Sequence, residues 1–297
     1  MLPVRWLATT LALIALVIAI NLLFAWRLDV FGIFRDPTGR KLITSEHERK
    51  AKYLLNQAYV PDNFDALIIG ASASVNWRPE DLTGFRFYNE SLEGGDASEE
   101  RKLVEQALPK GHFKIALVGL YPRITALHVL QDGFDQVKKS EALGSISALG
   151  IEYDAIRDRI HPRPATFFPD GSHVLPPHAS PATDQVYEPV IIEQDPIAVE
   201  DYRALVQELM DRGVRIIYVA NPLYGRLYQV SRNQIDAYME SVKSTMPSAP
   251  IIDFNSPEYT AFRDNPQNYI DEVHLSPRGA RDLTLMLNVK MHQILGS

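Results

Sequence analysis

The apolar positions of this chain sort into one long uninterrupted run, several short runs and a set of helical stripes. The long run, residues 6–26, carries no charge and is interrupted only by Thr9, Thr10 and Asn21. It is long enough for a helix of about twenty residues to cross a bilayer, and Trp6 and Trp26 stand where interfacial aromatics gather. A cleaved signal peptide has a shorter apolar core of roughly 7–15 residues and a small-residue cleavage site, so a retained anchor over 1–27 is expected. The short runs at 66–69, 114–120, 214–220 and 251–254, with 85–89, suit strands of a parallel sheet buried on both faces. Leu103, Val104, Ala107 and Leu108 share one helical face and predict a helix over 97–108. Tyr202, Leu205, Val206 and Leu209 predict a second that Gly213 ends. A further helix falls near 231–244. The last begins with Ser276 as cap and Pro277 in first position, and Leu283, Leu287, Met291 and Ile294 form its expected buried stripe.

Strands alternating with helices imply an α/β, three-layer sandwich with a parallel sheet covered on both faces. Residues 28–44 read as a juxtamembrane linker containing the turn Asp36-Pro37-Thr38-Gly39. The α/β domain is expected over 45–297, where Ser45-Glu-His-Glu48 has the spacing of a capping box and opens a helix to about Tyr59. An irregular insertion at about 121–196, with helical signals at 137–149 and 152–160 between Pro-rich loops, reads as a lid over the active face. No internal repeat is present.

A length of 297 residues holds one large domain or two small ones. The net charge of -7 and the absence of any long basic run exclude nucleic acid as an expected partner. With no cysteine, disulfides, thiol catalysis and cysteine-ligated metals are excluded. His161, His173 and His178 are irregularly spaced and match no zinc pattern, so no metal or diffusible cofactor is expected.

The candidate chemistry starts at Asp65-Ala-Leu-Ile-Ile-Gly70-Ala-Ser72-Ala-Ser74. Gly70 permits a sharp turn after the strand, which puts Ser72 beyond the carboxyl edge of the sheet, where α/β proteins hold ligands. Asp271-Glu-Val-His274 supplies a base for that serine and a carboxylate to orient the base. In a purely structural reading, His274 and Asp271 serve only the start of the last helix. Gly94 or Gly95 is placed to bring a backbone N–H to a developing oxyanion. Ser74 is the alternative nucleophile if the turn is one step longer, and Asp253 the alternative orienting carboxylate. Phe167, Phe168, Tyr224 and Tyr228 either line a sugar-binding cleft or simply pack.

Three blocks of these residues resemble the SGNH (GDSL-like) hydrolase superfamily. Gly70-Ala71-Ser72 matches its nucleophile block, with Ala71 in place of the usual aspartate. Tyr88-Asn89-Glu-Ser-Leu-Glu-Gly94-Gly95 is similar to the block that carries an oxyanion-hole glycine, Gly94 being the better match. Asp271, His274 and Leu275 match the last block. The third block normally carries Gly-x-Asn-Asp, and here Gly119-Leu-Tyr-Pro122-Arg123 lacks the asparagine, with Arg123 or Asn221 as substitute donors. The resemblance extends over about 60–297 and implies a flavodoxin-like sheet and a serine esterase or O-acyltransferase. It also resembles, in its N-terminal hydrophobic segment, membrane-anchored members that act in alginate acetylation and D-alanyl-lipoteichoic acid transfer. Those imply a domain outside the cytoplasm, periplasmic or extracellular, a membrane-bound O-acyltransferase partner and a polysaccharide or other glycan acceptor. The competing expectation, from the missing asparagine, is an inactive SGNH-like domain that binds glycan or scaffolds an envelope complex.

Overall fold

The structure, a computed structural model, describes residues 2–29, 48–57, 59–126, 149–150, 152–153, 156–157, 160–161, 167–175, 181 and 185–296. Its sheet has five parallel strands: β1 (Ala66–Ile69), β2 (Phe87–Asn89), β3 (Ile115–Leu120), β4 (Arg215–Ala220) and β5 (Ile251–Asp253). Their order is β2-β1-β3-β4-β5. This is the flavodoxin-like doubly wound order, whose topological switch point falls between β1 and β3. The register aligns Ile69 with Val118 and Ala220 with Asp253, so the carboxyl ends of the strands form one edge.

Helices cover both faces. The helices are α1 (Leu2–Leu28), α2 (Glu48–Leu55), α3 (Tyr59–Asn63), α4 (Ala97–Ala107), α5 (Pro196–Asp211), α6 (Gly225–Thr245), α7 (Thr260–Arg263) and α8 (Pro277–Leu295). Side chains alternate across a strand, which divides the core in two. Leu67, Ile69, Ala116, Val118, Ile216 and Tyr218 pack under α3, α4, α5 and α6. Ala66, Ile68, Ile115, Leu117, Ile217 and Val219 pack under α8. Both faces of β1 and β3 are therefore dry, as their unbroken apolar runs require.

Several boundaries differ from the sequence expectation. The helix expected to reach Tyr59 is two pieces, α2 and α3, the first ending in a turn at Asn56 and Gln57, and Ser45 lies outside the described residues. The helix expected at 231–244 begins at Gly225. Tyr224 stands at its N-cap and makes no side-chain cap bond, so no capping signal marks that start. In α8, Leu283, Leu287 and Met291 are fully buried but Ile294 is 40% exposed. Steps of four from 283 lead to Leu295, which packs partly against the core in its place. Residues 30–44 of the linker expected over 28–44, and most of the helical signal at 137–149, lie outside the described residues.

Among the described residues, one helix is long and apolar enough to cross a membrane, at Arg5–Leu28 with mean hydropathy 2.5. Its two threonines are accommodated locally. Thr9 and Thr10 donate their hydroxyls to the carbonyls of Arg5 and Trp6, at 2.9 and 3.0 Å. Neither hydroxyl is left to face an apolar medium without a partner.

Candidate active site

Behind β1 the chain folds back at once. The Ser74 N–H donates to the Ala71 carbonyl at 2.9 Å, and the Ser74 hydroxyl to the same oxygen at 3.0 Å. A Cβ on Gly70 would collide with Ser74 Oγ and push it out of its place in the turn, so glycine suits this close approach. The turn presents Ser72, 9% exposed, at the carboxyl edge of the sheet.

Ser72 Oγ lies 2.8 Å from His274 Nε2, and His274 Nδ1 lies 2.6 Å from Asp271 Oδ2. With Nδ1–H donating to the carboxylate, Nε2 is left to accept from the serine hydroxyl. Asp271 Oδ1 accepts the backbone N–H groups of Val273 at 2.9 Å and His274 at 2.7 Å. Burial would raise the Asp271 pKa, but the hydrogen bonds from His274, from Val273 and from the His274 backbone, with the imidazole charge, hold it below the ordinary carboxylate value. The loop that carries the histidine is pinned on both sides. Ile270 donates its N–H to the His274 carbonyl at 2.9 Å, and Asn76 donates its amide to the Leu275 carbonyl at 2.7 Å. Ser276 then caps α8, accepting from the Gly279 N–H at 3.0 Å.

The loop after β2 is laced to the Ser72 turn. Glu90 and Leu92 donate their N–H groups to the carbonyls of Ile68 and Gly70, at 2.7 and 3.1 Å. The buried Asn89 amide donates to the Ser74 carbonyl at 2.8 Å and reaches those of Val75 and Trp77 at 3.3 and 3.4 Å. Its own carbonyl takes the Ser91 N–H at 3.0 Å. Asn89→Ala is expected to lower the unfolding free energy by about 1–3 kcal/mol in a urea titration, because buried carbonyls lose their donor. Gly94, at φ +64°, is in the left-handed region that favours glycine. Gly95 donates its N–H to the Leu92 carbonyl at 3.2 Å and so closes the turn, while Gly94 makes no such bond among the described backbone pairs.

The other candidates fall as follows. Asn221 is buried and donates its amide to the Ala73 carbonyl at 2.9 Å, while its own backbone carbonyl accepts from Asn255. That amide is committed to bracing the serine from behind. Arg123 lies in the short turn Pro122–Thr125 and lines a cavity of about 370 Å³ with Tyr121, Ala126, Leu223, Ile235 and Val273. Tyr121 occupies the place of the missing third-block asparagine. Its hydroxyl pKa is raised by burial, with Arg123 opposing and Asp271 reinforcing the shift. Ser74 is 1% exposed and bonded to Ser91 Oγ at 2.9 Å, well integrated into the turn and without a histidine partner. Asp253 caps its own strand end by accepting the Asn255 N–H. Phe167 is buried edge-on against His173. Tyr224 packs between Tyr187 and Tyr269, and Tyr228 stacks on the Arg263 guanidinium. Phe168 lines a second cavity, of about 380 Å³, with Asn76, Asp170, His173 and Leu275. The two cavities are thus walled by the residues on either side of His274. His178 lies outside the described residues, and among those described no cluster of acidic or histidine side chains could hold a metal ion.

Sequence reasoning missed a buried set of charges under the glycine loop. Glu48, Lys52, Glu90, Glu100 and His173 are all at most 3% exposed. Glu48 Oε1 stands 3.2 Å from Lys52 Nζ and 2.8 Å from His173 Nε2. Although burial acts to raise its pKa, Lys52 and His173 together bring the Glu48 carboxyl down to about 2. Burial pushes Glu90 up to about 7 against the pull of Lys52, and Glu100 well above the usual carboxylate range. A raised pKa means that the folded state holds its proton more tightly. The Glu90 contribution is therefore fully present below about pH 4.5 and is lost as pH rises to about 7. Relative to wild type, Glu90→Gln is expected to leave stability nearly unchanged at pH 4 and to add about 3 kcal/mol at pH 8, read by urea unfolding.

The sheet order, the serine behind β1, the glycine loop behind β2 and the Asp-x-x-His loop ahead of the last helix together make a doubly wound α/β fold with a Ser72-His274-Asp271 relay at the carboxyl edge of its sheet, the arrangement expected from the resemblance to SGNH/GDSL-like hydrolases. No protein-family model matches the chain, and no curated protein matches it. Two solved structures are similar. One, from Streptococcus pneumonia, is described as a platelet activating factor, with 12% identity and a TM-score of 0.46 over 84% of this chain and 92% of that one. The other is a GDSL-like lipase from Bacteroides thetaiotaomicron VPI-5482, with 10% identity and a TM-score of 0.40 over 83% of this chain and 96% of that one.

Proposed function

We propose that this domain is a serine esterase or O-acyltransferase that works through an acyl-Ser72 intermediate. The observation that carries this reading is the hydrogen-bonded relay from Ser72 through His274 to Asp271, assembled from residues 202 positions apart. Ser72 Oγ attacks the acyl carbonyl while His274 Nε2 takes its proton. The Nδ1–H bond to Asp271 holds the ring in the tautomer that can accept it. Collapse of the tetrahedral adduct expels the alcohol or thiol, which leaves with the proton from His274, and the acyl group stays on Ser72. A second hydroxyl, from water or an acceptor, then gives its proton to His274, attacks the ester and releases Ser72. The Gly94 N–H is the loop donor for the oxyanion in both halves. Which hydroxyl succeeds depends on acceptor positioning and exclusion of water.

The membrane-length helix and the resemblance to membrane-anchored members support a finer reading. The domain is anchored by α1 outside the cytoplasm, takes acyl groups passed on by a membrane-bound O-acyltransferase and places them on an envelope polysaccharide. The test is intact-mass analysis of the protein after exposure to a serine-reactive fluorophosphonate. One adduct on wild type and none on Ser72→Ala is the expected result. No adduct on the folded wild type would favour the glycan-binding reading that the Tyr121 replacement suggests. Ester formation on an added oligosaccharide, followed from the acetylated enzyme, separates transfer from hydrolysis.

A further inference from the structure

The buried charges of α2 take no direct part in the reaction proposed above, yet each reaches the backbone just ahead of Gly94. Lys52 Nζ, on a side chain with no exposed surface, donates to the Ser91 carbonyl at 2.5 Å. Glu48 Oε2 accepts the Glu93 N–H at 3.1 Å. One turn of the same helix adds Arg49, which donates to the Glu93 carbonyl at 3.2 Å and is fixed in a fork by Glu99, at 2.7 and 3.1 Å. Three backbone groups in three residues are thus set by one helix. The loop is held from the other side as well, because Ser91 Oγ is bonded to Ser74 Oγ in the turn that carries Ser72.

Removing an ammonium and a carboxylate from water is costly, and two apolar side chains of the same size would fill the space without that cost. What they would not supply is a donor for the Ser91 carbonyl and an acceptor for the Glu93 N–H. We propose that Lys52, Glu48 and Arg49 are positioning residues that act as one brace to fix the orientation of the Gly94 peptide relative to Ser72. They act through the loop, and none touches the reacting atoms. This rests on the reading of Ser72 as nucleophile and of Gly94 as an oxyanion donor. Misplacing such a donor by about 1 Å is enough to cost about 10²-fold in rate while leaving ground-state binding alone.

The test uses the full chain and a p-nitrophenyl acetate assay, with kcat and KM measured separately and thermal midpoints recorded. Lys52→Met is expected to lower kcat about 10²-fold with KM within about twofold, and to lower the midpoint, since it removes the buried ammonium beside Glu48 and leaves that carboxylate to His173 alone. The double variant Glu48→Gln/Lys52→Met removes both charges. It is expected to recover much of the midpoint and none of the kcat. Recovery of kcat together with stability would show that the pair serves folding alone, and would overturn the proposal. Should neither variant fold, Arg49→Met, at a half-exposed position, gives the same reading: about tenfold lower kcat supports it, and an unchanged kcat overturns it. Fluorophosphonate labelling of the wild type is run alongside. An unlabelled wild type refutes the nucleophile assignment, and the positioning role with it. A labelled wild type with fully active variants refutes the positioning role alone.

Discussion

His274→Ala is expected to lower turnover of a small aryl ester by about 10⁶-fold, as much as Ser72→Ala, and the double variant is expected to lose no more than either. The reason lies in the shared proton. Ser72 Oγ has His274 Nε2 as its hydrogen-bond partner at 2.8 Å, and a hydroxyl without a base is a weak nucleophile at neutral pH. Removing either group removes the same step, so the losses do not add. Rates measured on both single variants and the double decide the matter. Losses that multiplied would mean that the two residues act in separate steps, and the acyl-enzyme scheme would have to be abandoned. The residual activity reports the loop donors alone, which act on the oxyanion whether or not the serine is deprotonated.

Asp271→Asn is expected to cost about 10⁴-fold in kcat with little change in thermal midpoint. Asparagine keeps an oxygen able to accept the Val273 and His274 backbone N–H groups, so the loop geometry survives. The change falls on the other arm. An amide NH₂ facing Nδ1 makes that nitrogen an acceptor and moves the ring proton to Nε2, which then cannot take the serine proton. A loss of stability matching the loss of rate would instead assign Asp271 to loop closure. Because the hydrogen bonds to Asp271 keep its carboxyl ionised below the ordinary range, protonation of this residue is not expected to account for any loss of rate near pH 5.

The parts of the site that could be read from sequence are those whose chemistry is carried by local order. An apolar run closed by Gly70 fixes where Ser72 must stand, and Asp271 with His274 is a short pattern ahead of a Ser-Pro helix start. The strands could be read for the same reason, since β1 and β3 are unbroken apolar runs and β4 is one after Arg215. The bracing could not be read. Glu48, Arg49 and Lys52 have the charge pattern of a solvated helix face, and only the approach of the loop after β2 makes Glu48 and Lys52 interior. From sequence Asn221 is either a substitute oxyanion donor or a strand-end turn residue, and its actual partner, the Ala73 carbonyl, is 148 positions away and invisible there. Asn89 was visible as part of a block, but its bonds to Ser74, Val75 and Trp77 depend on how far the nucleophile turn folds back.

The relay joins one very short contact to one very long one. Asp271 and His274 are three positions apart, and the Asp271 carboxylate also closes its own loop, so that pair can form without help from the remainder of the chain. Ser72 must be brought to it across almost the whole domain, and the entropy of closing a loop of that length is recovered only when the sheet is complete. The proposed esterase activity would therefore be an all-or-none reporter of assembly. During refolding, imidazole signals of the Asp271–His274 pair should reach their native positions before activity returns, and a nascent chain halted before α8 should be silent however well its sheet has formed.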